Sequence, residues 1–476
     1  MFPFSFIGSG VDAQALASYN SLIAAGYTVP QGLAGINSAF KTIKTIYGTS
    51  DITTAISYFA DPSLAYQSGA GSGTTLGQAI RTLPNLVDNT RATDAVQTIA
   101  ASQPLLLVHS GENYWFGSGF ANNFVSTPNK FSSTPVNTAF EYICKIDCDN
   151  TNLSTYPTVS GSTNYSYGIF INLRKIGVWG NGNTFAETTN LLPAGRYTGW
   201  IKVVKTNPNI YQFYTSTDGV NYTLLESVNG TNAIINTTGT YNIGCASPST
   251  FLFNGKIYFV QLSINGIIQY SFDASQYNAS VSQTQWTSST GEIWSINKGT
   301  TAGEFTGQLV YRTQMGFGGN AQTKSFPPNN NVQVNQPDTV YIAYKFDIFS
   351  AYQGLIDSNT PATRQTINNS DPTGNIEILA GTAIVRSGLN QNAISLVTGV
   401  FNGANSSLQI NNGAQTIGNA GTQKIDGLRI GVLANSPPAF SLNGNIYSLL
   451  ISKQADNSTQ RTGMYNYIRS INNNAF

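Results

Sequence analysis

The segment FNGKIYFVQLS at 253–263 returns at 442–452 as LNGNIYSLLIS. Asn254, Gly255, Ile257, Tyr258 and Ser263 recur as Asn443, Gly444, Ile446, Tyr447 and Ser452. Phe253 and Leu262 face Leu442 and Ile451, which keeps the apolar character. The echo closes a longer series in one order. AFEYICKID (139–147) is matched by TVYIAYKFDIF (339–349), and YGIFINLRKIGVW (167–179) by NIEILAGTAIV (375–385). GWIKVVKTN (199–207) is matched by AISLVTGVFN (393–402). SLQINNGAQTI (407–417) shortens the hairpin IYQFYTSTDGVNYTLLESV (210–228), with Asn412-Gly413 in place of Asp218-Gly219. Ile243-Gly244 returns as Ile430-Gly431, with a two-residue insertion before the following Asn-Gly. A collinear repeat of this length means two copies of one domain.

The runs inside each copy are β-branched or aromatic, five to eight residues long, and punctuated by Gly, Asn, Asp and Pro. That spacing reads as an all-β sandwich or barrel. Asp218-Gly219 can supply the left-handed positions of a tight hairpin turn. Composition agrees. Only 9% of the 476 residues are charged while 41% are hydrophobic and 12% aromatic, so Asn, Ser, Thr, Gln and Gly carry the polar surface. Aromatics at that level argue against disorder. Such neutral polar surfaces suit extracellular proteins and virion parts.

With 23 basic and 22 acidic residues, net charge +1 and no basic stripe, neither nucleic acid nor an anionic membrane is an expected partner. No apolar run reaches the ~20 residues of a membrane span. MFPFSFIGSG lacks a positive n-region, so no signal peptide is expected, and release would follow another route such as host lysis.

Residues 1–100 differ from the rest. VDAQALASYNSLIAAG places Val11, Ala15, Leu16, Tyr19, Leu22 and Ile23 on one helical stripe, stopped by Gly26. PQGLAGINSAFKTIKTIYG repeats the pattern with Leu33, Ile36, Phe40, Ile43 and Ile46, stopped by Gly48. SDITTAISYF opens on Ser50 or Asp51 as N-cap, and GSGTTLGQAIRTL reads as one more short helix. These helices form either a small module or a set that folds only against a partner. NSTQRTGMYNYIRSIN near the C-terminus predicts a closing helix with Met464, Ile468 and Ile471 on one side. The expected organisation is a mainly β protein: a helical attachment or oligomerisation module at 1–100, then β-domains at 101–300 and 301–476.

The repeated unit resembles the laminin-G/concanavalin-A-like jelly-roll superfamily. The resemblance rests on the F-Y-x-S-x-D-G-x-x-Y hairpin at 213–222, the Ile-Gly strand, and the final N-G-x-I-Y-x-x-x-[LI]-S strand. It implies two tandem concanavalin-like jelly-roll sandwiches. The run AASQPLLLVHSGENYWFGSGFANNFVSTP (100–128), with the helical region before it, is similar to structural proteins of bacteriophages, especially those infecting Bacteroidota. That similarity implies a virion surface component such as a spike, fibre or head-decoration protein.

Little in the chain points to catalysis. His109, the single histidine, follows an apolar run, and Ser110 beside it is not placed for attack. Glycosidases need two carboxylates across a cleft. Glu112, Glu141, Glu187, Glu226 and Glu292 are candidates in the first β-domain, but FEYICKIDCD does not carry the family's E-x-D-x-x-E pattern. The Cys144-x-x-x-Cys148 pair with one histidine falls short of the four N or S ligands of a zinc site, and Cys144, Cys148 and Cys245 read as buried thiols; a Cys144–Cys148 disulfide depends on local geometry. Calcium is the one cofactor left open. Asp147, Asp149 and Asn150 sit together in DCDN, and Asp357, Asp371 and Asn375 lie in loops of the second copy. Calcium needs six to eight oxygens, several from carboxylates; the same Asn-rich loops are equally explained as turn formers.

Sugar binding needs only aromatic faces and hydroxyl-bonding amides. Trp115, Trp179, Trp200, Trp286 and Trp294 all fall in the first β-domain or its edges. Trp200 reads as core. Trp179, followed by Asn181 and Asn183, is the expected glycan platform, with core or interface packing as the competing reading. The Asn-rich loops at 326–335 and 366–375 lack an aromatic anchor. The function expected is therefore a non-enzymatic virion spike or fibre. It is made in the host cytoplasm, held by its helical module to other virion proteins, and recognises host glycan. The resemblance adds a homotrimer. A capsid decoration protein without glycan binding and a bacterial adhesin are the alternatives.

Overall fold

The computed structural model describes residues 10–69, 78–108, 111–118, 124–128, 130, 139–149, 155–160, 166–180, 183–206, 209–231, 240–247, 250–277, 284–297, 308–310, 312–318, 324–434, 440–472 and 474–476. They build two tandem jelly-roll sandwiches, each of a front and a back antiparallel sheet. The first front sheet runs Thr223–Asn229, Ile210–Ser216, Arg196–Thr206, Phe140–Asp149, Asn254–Ile264, Tyr114–Ser118. The second runs Gln415–Gly418, Ser406–Ile410, Ile394–Phe401, Asp338–Phe346, Asn443–Ser452, Gln314–Gly318. The first back sheet runs Asn183–Glu187, Lys175–Gly180, Ser166–Asn172, Thr155–Ser160, Thr240–Ile243, Phe124–Pro128. The second runs Ala383–Arg386, Ile376–Leu379, Thr366–Asn369, Gln353–Asp357, Ile425–Ile430, Phe326–Val334. Strand for strand the order is the same, so the sequence repeat is a repeat of topology.

Two glycine pairs explain why the echo is strongest where it is. Gly244 and Gly431 both have left-handed backbone, φ 93° and 80°. A Cβ on them would meet the Trp115 indole at 3.1 Å and the Phe317 ring at 2.3 Å. Gly255 and Gly444 lie against the neighbouring strand, where a Cβ would meet the carbonyl oxygens of Asp147 and Lys345. Only glycine tolerates such approach. The same contacts fix the register: Asp147 is level with Lys345, and Lys145 with Ala343. The match of AFEYICKID with TVYIAYKFDIF is thereby slid by two residues. An even shift keeps every side chain on its face.

Alternating residues fill the two cores. Tyr142, Ile146, Ile201, Phe213 and Ile257 of the first front sheet meet Ile169, Ile171, Val178 and Ile243 of its back sheet. Ile342, Val397, Leu408 and Ile446 meet Ile367, Ile378 and Ile430 in the second. Each such fully buried side chain contributes about 1.5–3 kcal/mol.

The first hundred residues are not all helical. α1 (Ala13–Ala24), capped by Asp12, α2 (Gly32–Tyr47), stopped by left-handed Gly48, and α3 (Ile52–Ala55), capped by Asp51, form as expected. After one turn α3 gives way to the strand Ile56–Ala60, which pairs with Asn443–Ser452. Of GSGTTLGQAIRTL, where a short helix is expected, residues 71–77 lie outside the described residues, and Gln78–Leu83 is a strand paired with Leu105–Leu107. Ile80 and Leu83 are buried in the second core, and tertiary pairing outweighs the weak helical preference of that segment. α1 and α2 join the C-terminal α4 (Ser458–Ile471) on the outer side of the second front sheet, burying Leu22, Phe40, Ile43, Met464 and Ile468 against Tyr341, Leu396 and Leu450. Asp456 ties this layer down, accepting from the hydroxyls of Tyr47 and Tyr341 at 2.5 and 2.6 Å.

The sandwiches also trade edge strands. Leu105–Leu107 leads into Tyr114–Ser118 of the first sandwich yet pairs with Gln314–Gly318 of the second. Gln308–Val310 leads into Gln314–Gly318 yet pairs with Tyr114–Ser118.

Candidate functional site

The two front sheets turn the same face to different surroundings. In the second sandwich its outer positions Tyr341, Ala343, Ile394, Leu396, Tyr447 and Leu450 lie under the helices. By ladder register the matching positions of the first are Ile143, Lys145, Thr198, Trp200, Tyr258 and Gln261. Strand alternation aims Tyr142, Cys144, Ile201 and Val203 inward and leaves their neighbours outside. Three cross-strand rows result: Ser263, Glu141, Val204 and Gln212; Gln261, Ile143, Lys202 and Tyr214; Phe259, Lys145, Trp200 and Ser216. With strands about 4.8 Å apart, each four-strand row is roughly 15 Å wide.

Trp200, expected in the core, is half-buried on this outer face. Its ring meets Phe259 at 5.6 Å, and the left-handed Gly219 brings the hairpin turn against the indole edge. Asp218 holds that turn by accepting from the backbone N–H groups of Val220 and Asn221, both at 2.8 Å. These bonds hold its carboxyl well below the usual range. The hairpin also delivers Tyr222. Lys202 Nζ lies 4.3 Å from the Tyr222 centroid and 5.1 Å from that of Tyr214. Burial, then the nearby Cys144 and Glu141, push the Tyr222 hydroxyl up to about 12.

Among the described residues, six polar groups on this face make no hydrogen bond or ion pair within the chain. They are the Glu141 carboxylate, the Lys202 ammonium, the Gln212 side-chain amide, the Trp200 indole N–H and the hydroxyls of Tyr214 and Tyr222. The other four candidate glutamates are engaged. Glu112 pairs with Lys145, Glu187 with Lys175, Glu292 with Lys130, and Glu226 accepts from Thr189 and Asn190. Beyond Ser216 a cleft of about 360 Å³ opens at the rim, where Thr198, Asn221 and Thr223 stand over Leu192 and Pro193. The second sandwich has a larger rim cleft of about 690 Å³, amide-lined by Asn335, Gln336, Asn402 and Gln423 but without an aromatic ring.

The sites expected from sequence fare differently. Trp179 is half-buried on the back sheet, edge-on to Phe170 at 6.1 Å, and not on the open front face. Asn183 starts its neighbouring strand, opposite Gly180; Asn181 lies outside the described residues, as do Asn150, His109 and Ser110. Asp147 is buried, and its carboxylate is taken by the Arg196 guanidinium and by the Thr198 hydroxyl at 2.9 Å. Asp149 sits opposite Arg196 in the ladder. Asp357 is paired with Arg364 at 3.2 Å, and Asp371 caps its own turn through Thr373 and Asn375. Among the described residues no three His, Cys, Asp or Glu side chains gather at one point. Cys144 and Cys148 are buried on one strand and are not joined by a disulfide, and burial pushes the Cys144 thiol up to about 12. Glu141 and Asp147 are six residues apart on that strand, about 20 Å at 3.3 Å per residue. That is too far for the ~5–10 Å carboxylate pair of a glycosidase. Sequence reading passed over Trp200 because its segment alternates like any core strand. The signal it did carry was the polar partner set on the same phase: Glu141, Lys145, Lys202 and Gln212.

No family model and no curated protein matches the chain. Solved structures similar to it include domains LG4-5 of the mouse laminin α1 chain, at 11% identity and TM-score 0.28, covering 74% of this chain and 91% of that one. A Bacteroides ovatus protein named for carbohydrate binding aligns at 11% identity and TM-score 0.27, over 74% and 84% of the two chains. Trypanosoma rangeli sialidase with sialic acid aligns at 10% and 0.27, over 66% and 62%. At these TM-scores the likenesses carry no argument, and the architecture rests on the strand order above.

Proposed function

We propose that the chain is a glycan-binding protein whose binding surface is the outer front face of the first sandwich. One observation carries the reading. Four aromatic rings, from Trp200, Tyr214, Tyr222 and Phe259, share this face with polar groups that have no hydrogen-bond or ion-pair partner among the described residues. Buried or half-buried polar groups normally find partners, and rings among convergent donors and acceptors suit a ligand that is apolar on one side and hydroxylated at its edge. The matching face of the second sandwich is closed by helices, so binding is assigned to one copy. The test is a glycan array with the full chain and Trp200→Ala. Saturable binding lost in Trp200→Ala supports the reading; binding that Trp200→Ala leaves intact counts against it.

The finer placement is a virion surface, as spike or fibre, with the chains assembled as a trimer to multiply weak contacts; linked sites can raise avidity by about 10²–10⁴. The neutral, Asn- and Ser-rich surface supports it. Detection of the chain in purified particles and a trimer mass by light scattering test it, and a dispersed monomer outside particles counts against it.

A further inference from the structure

We propose that this face selects a neutral saccharide by seating a vicinal diol between Glu141 and Lys202. The inference deepens the glycan-binding reading and rests on it. Glu141 lies across the ladder from Val204, and Lys202 across from Ile143. The two are therefore diagonal neighbours on adjacent strands, within reach of long side chains. No ion pair joins them. Lys202 instead lies over the rings of Tyr222 and Tyr214. A carboxylate acceptor and an ammonium donor thus share one face, neither with a hydrogen-bond or ion-pair partner among the described residues.

A carboxylate accepts through two oxygens and an ammonium donates three hydrogens. Adjacent hydroxyls can satisfy both: one O–H donates to Glu141, and a hydroxyl oxygen accepts from Lys202. Both bonds are charge-assisted and so stronger than neutral ones. Singly charged ligands fit worse. An acidic sugar would gain Lys202 and meet Glu141; a basic one would gain Glu141 and meet Lys202. The remaining charges do not tip this balance, since Lys145 is paired with Glu112 and Arg196 with Asp147. Trp200 and Phe259, one row from Lys202, offer the apolar platform for the ring that carries the diol.

The experiment uses the full chain against immobilised neutral and acidic glycans at low and high salt, with Glu141→Gln, Lys202→Met and Lys202→Arg. Melting curves verify that each variant is folded. The expected result is binding to neutral glycans that salt barely changes, since contact hydrogen bonds are little affected by Debye screening. Glu141→Gln and Lys202→Met should each weaken it about tenfold, as loss of a charged hydrogen-bond partner does, and Lys202→Arg should largely keep it. Binding of acidic glycans that collapses in salt and tightens in Glu141→Gln overturns this inference while leaving glycan binding in place. Binding of no glycan at all by the wild type overturns both readings.

Discussion

Trp200 and Leu396 hold the same position in the two copies of the front sheet. Each stands across the ladder from the residue, Lys145 or Ala343, that also pairs with the last strand. Leu396 is fully buried beneath the helical layer, and Trp200 is half-buried on an open face. The repeat has been specialised by what covers it, and the copy left uncovered carries the aromatic and polar residues.

The covering layer makes the two sandwiches unequal as fragments. A polypeptide of residues 104–476 would lose α1, α2 and the strand Ile56–Ala60, exposing Tyr341, Leu396 and Leu450. We expect it to be aggregation-prone, because contiguous apolar surface of this kind invites association. Size-exclusion chromatography and thermal melting beside the full chain decide; a monodisperse fragment with an unchanged melting temperature would refute the expectation.

Asp338 and Gln365 are both fully buried, and Gln365 Nε2 donates to Asp338 Oδ2 at 2.7 Å. The other two oxygens, Asp338 Oδ1 and Gln365 Oε1, have no partner. A proton on Oδ1 would satisfy both and close a cyclic acid–amide pair. Burial holds this carboxyl well above the usual range. With the unfolded value near 3.9, its contribution is complete below about pH 4 and is lost as pH rises toward the folded pKa. The loss is at most about 1.4 kcal/mol per pH unit. Asp338→Asn keeps both hydrogen bonds without titrating. It should be at least as stable as wild type near neutrality and remove part of the pH slope. Melting curves across the acid-to-neutral range show this, and destabilisation at every pH would rule the pairing out.

Arg312, at the entry to the second sandwich, reaches Asp61 Oδ2 at 2.6 Å, Ser63 Oγ at 3.3 Å and the Asn472 side chain. Arg312 and Asp61 are both buried. Arg312→Ala would strand the Asp61 charge and is expected to cost about 3–5 kcal/mol. A denaturant titration reads it as a lowered midpoint; a shift below about 1 kcal/mol would mean that water replaces the guanidinium.

The rim aspartate Asp147 is committed to Arg196 and Thr198. Glycan binding is therefore expected to survive EDTA unchanged. Trp179→Ala, on the back sheet, should likewise leave affinity within about twofold. A loss in either arm would return the binding site to the Trp179 or Asp147 region.

Much of the fold was legible because its causes are local. Gly48 ends α2 through its left-handed backbone, and Asp51 caps α3 through its carboxylate. The strand Arg196–Thr206 follows period-two alternation. Misreadings came where a partner far along the chain decides. Gln78–Leu83 is a strand because Leu105–Leu107 lies beside it, and Trp200 is outside because the phase of its strand puts Ile201 and Val203 inside.

By itself the sequence determined that one sandwich is built twice, with glycine wherever backbone passes too close for a side chain, since those are requirements each segment meets on its own. Only the tertiary structure decided which copy keeps an open face and which edge strand each sandwich receives from the other. Leu105–Leu107 and Gln308–Val310 are short, mostly apolar strands, equally able to extend either sheet. The choice between them depends on where α1, α2 and the crossing linkers come to rest, and no local pattern encodes that.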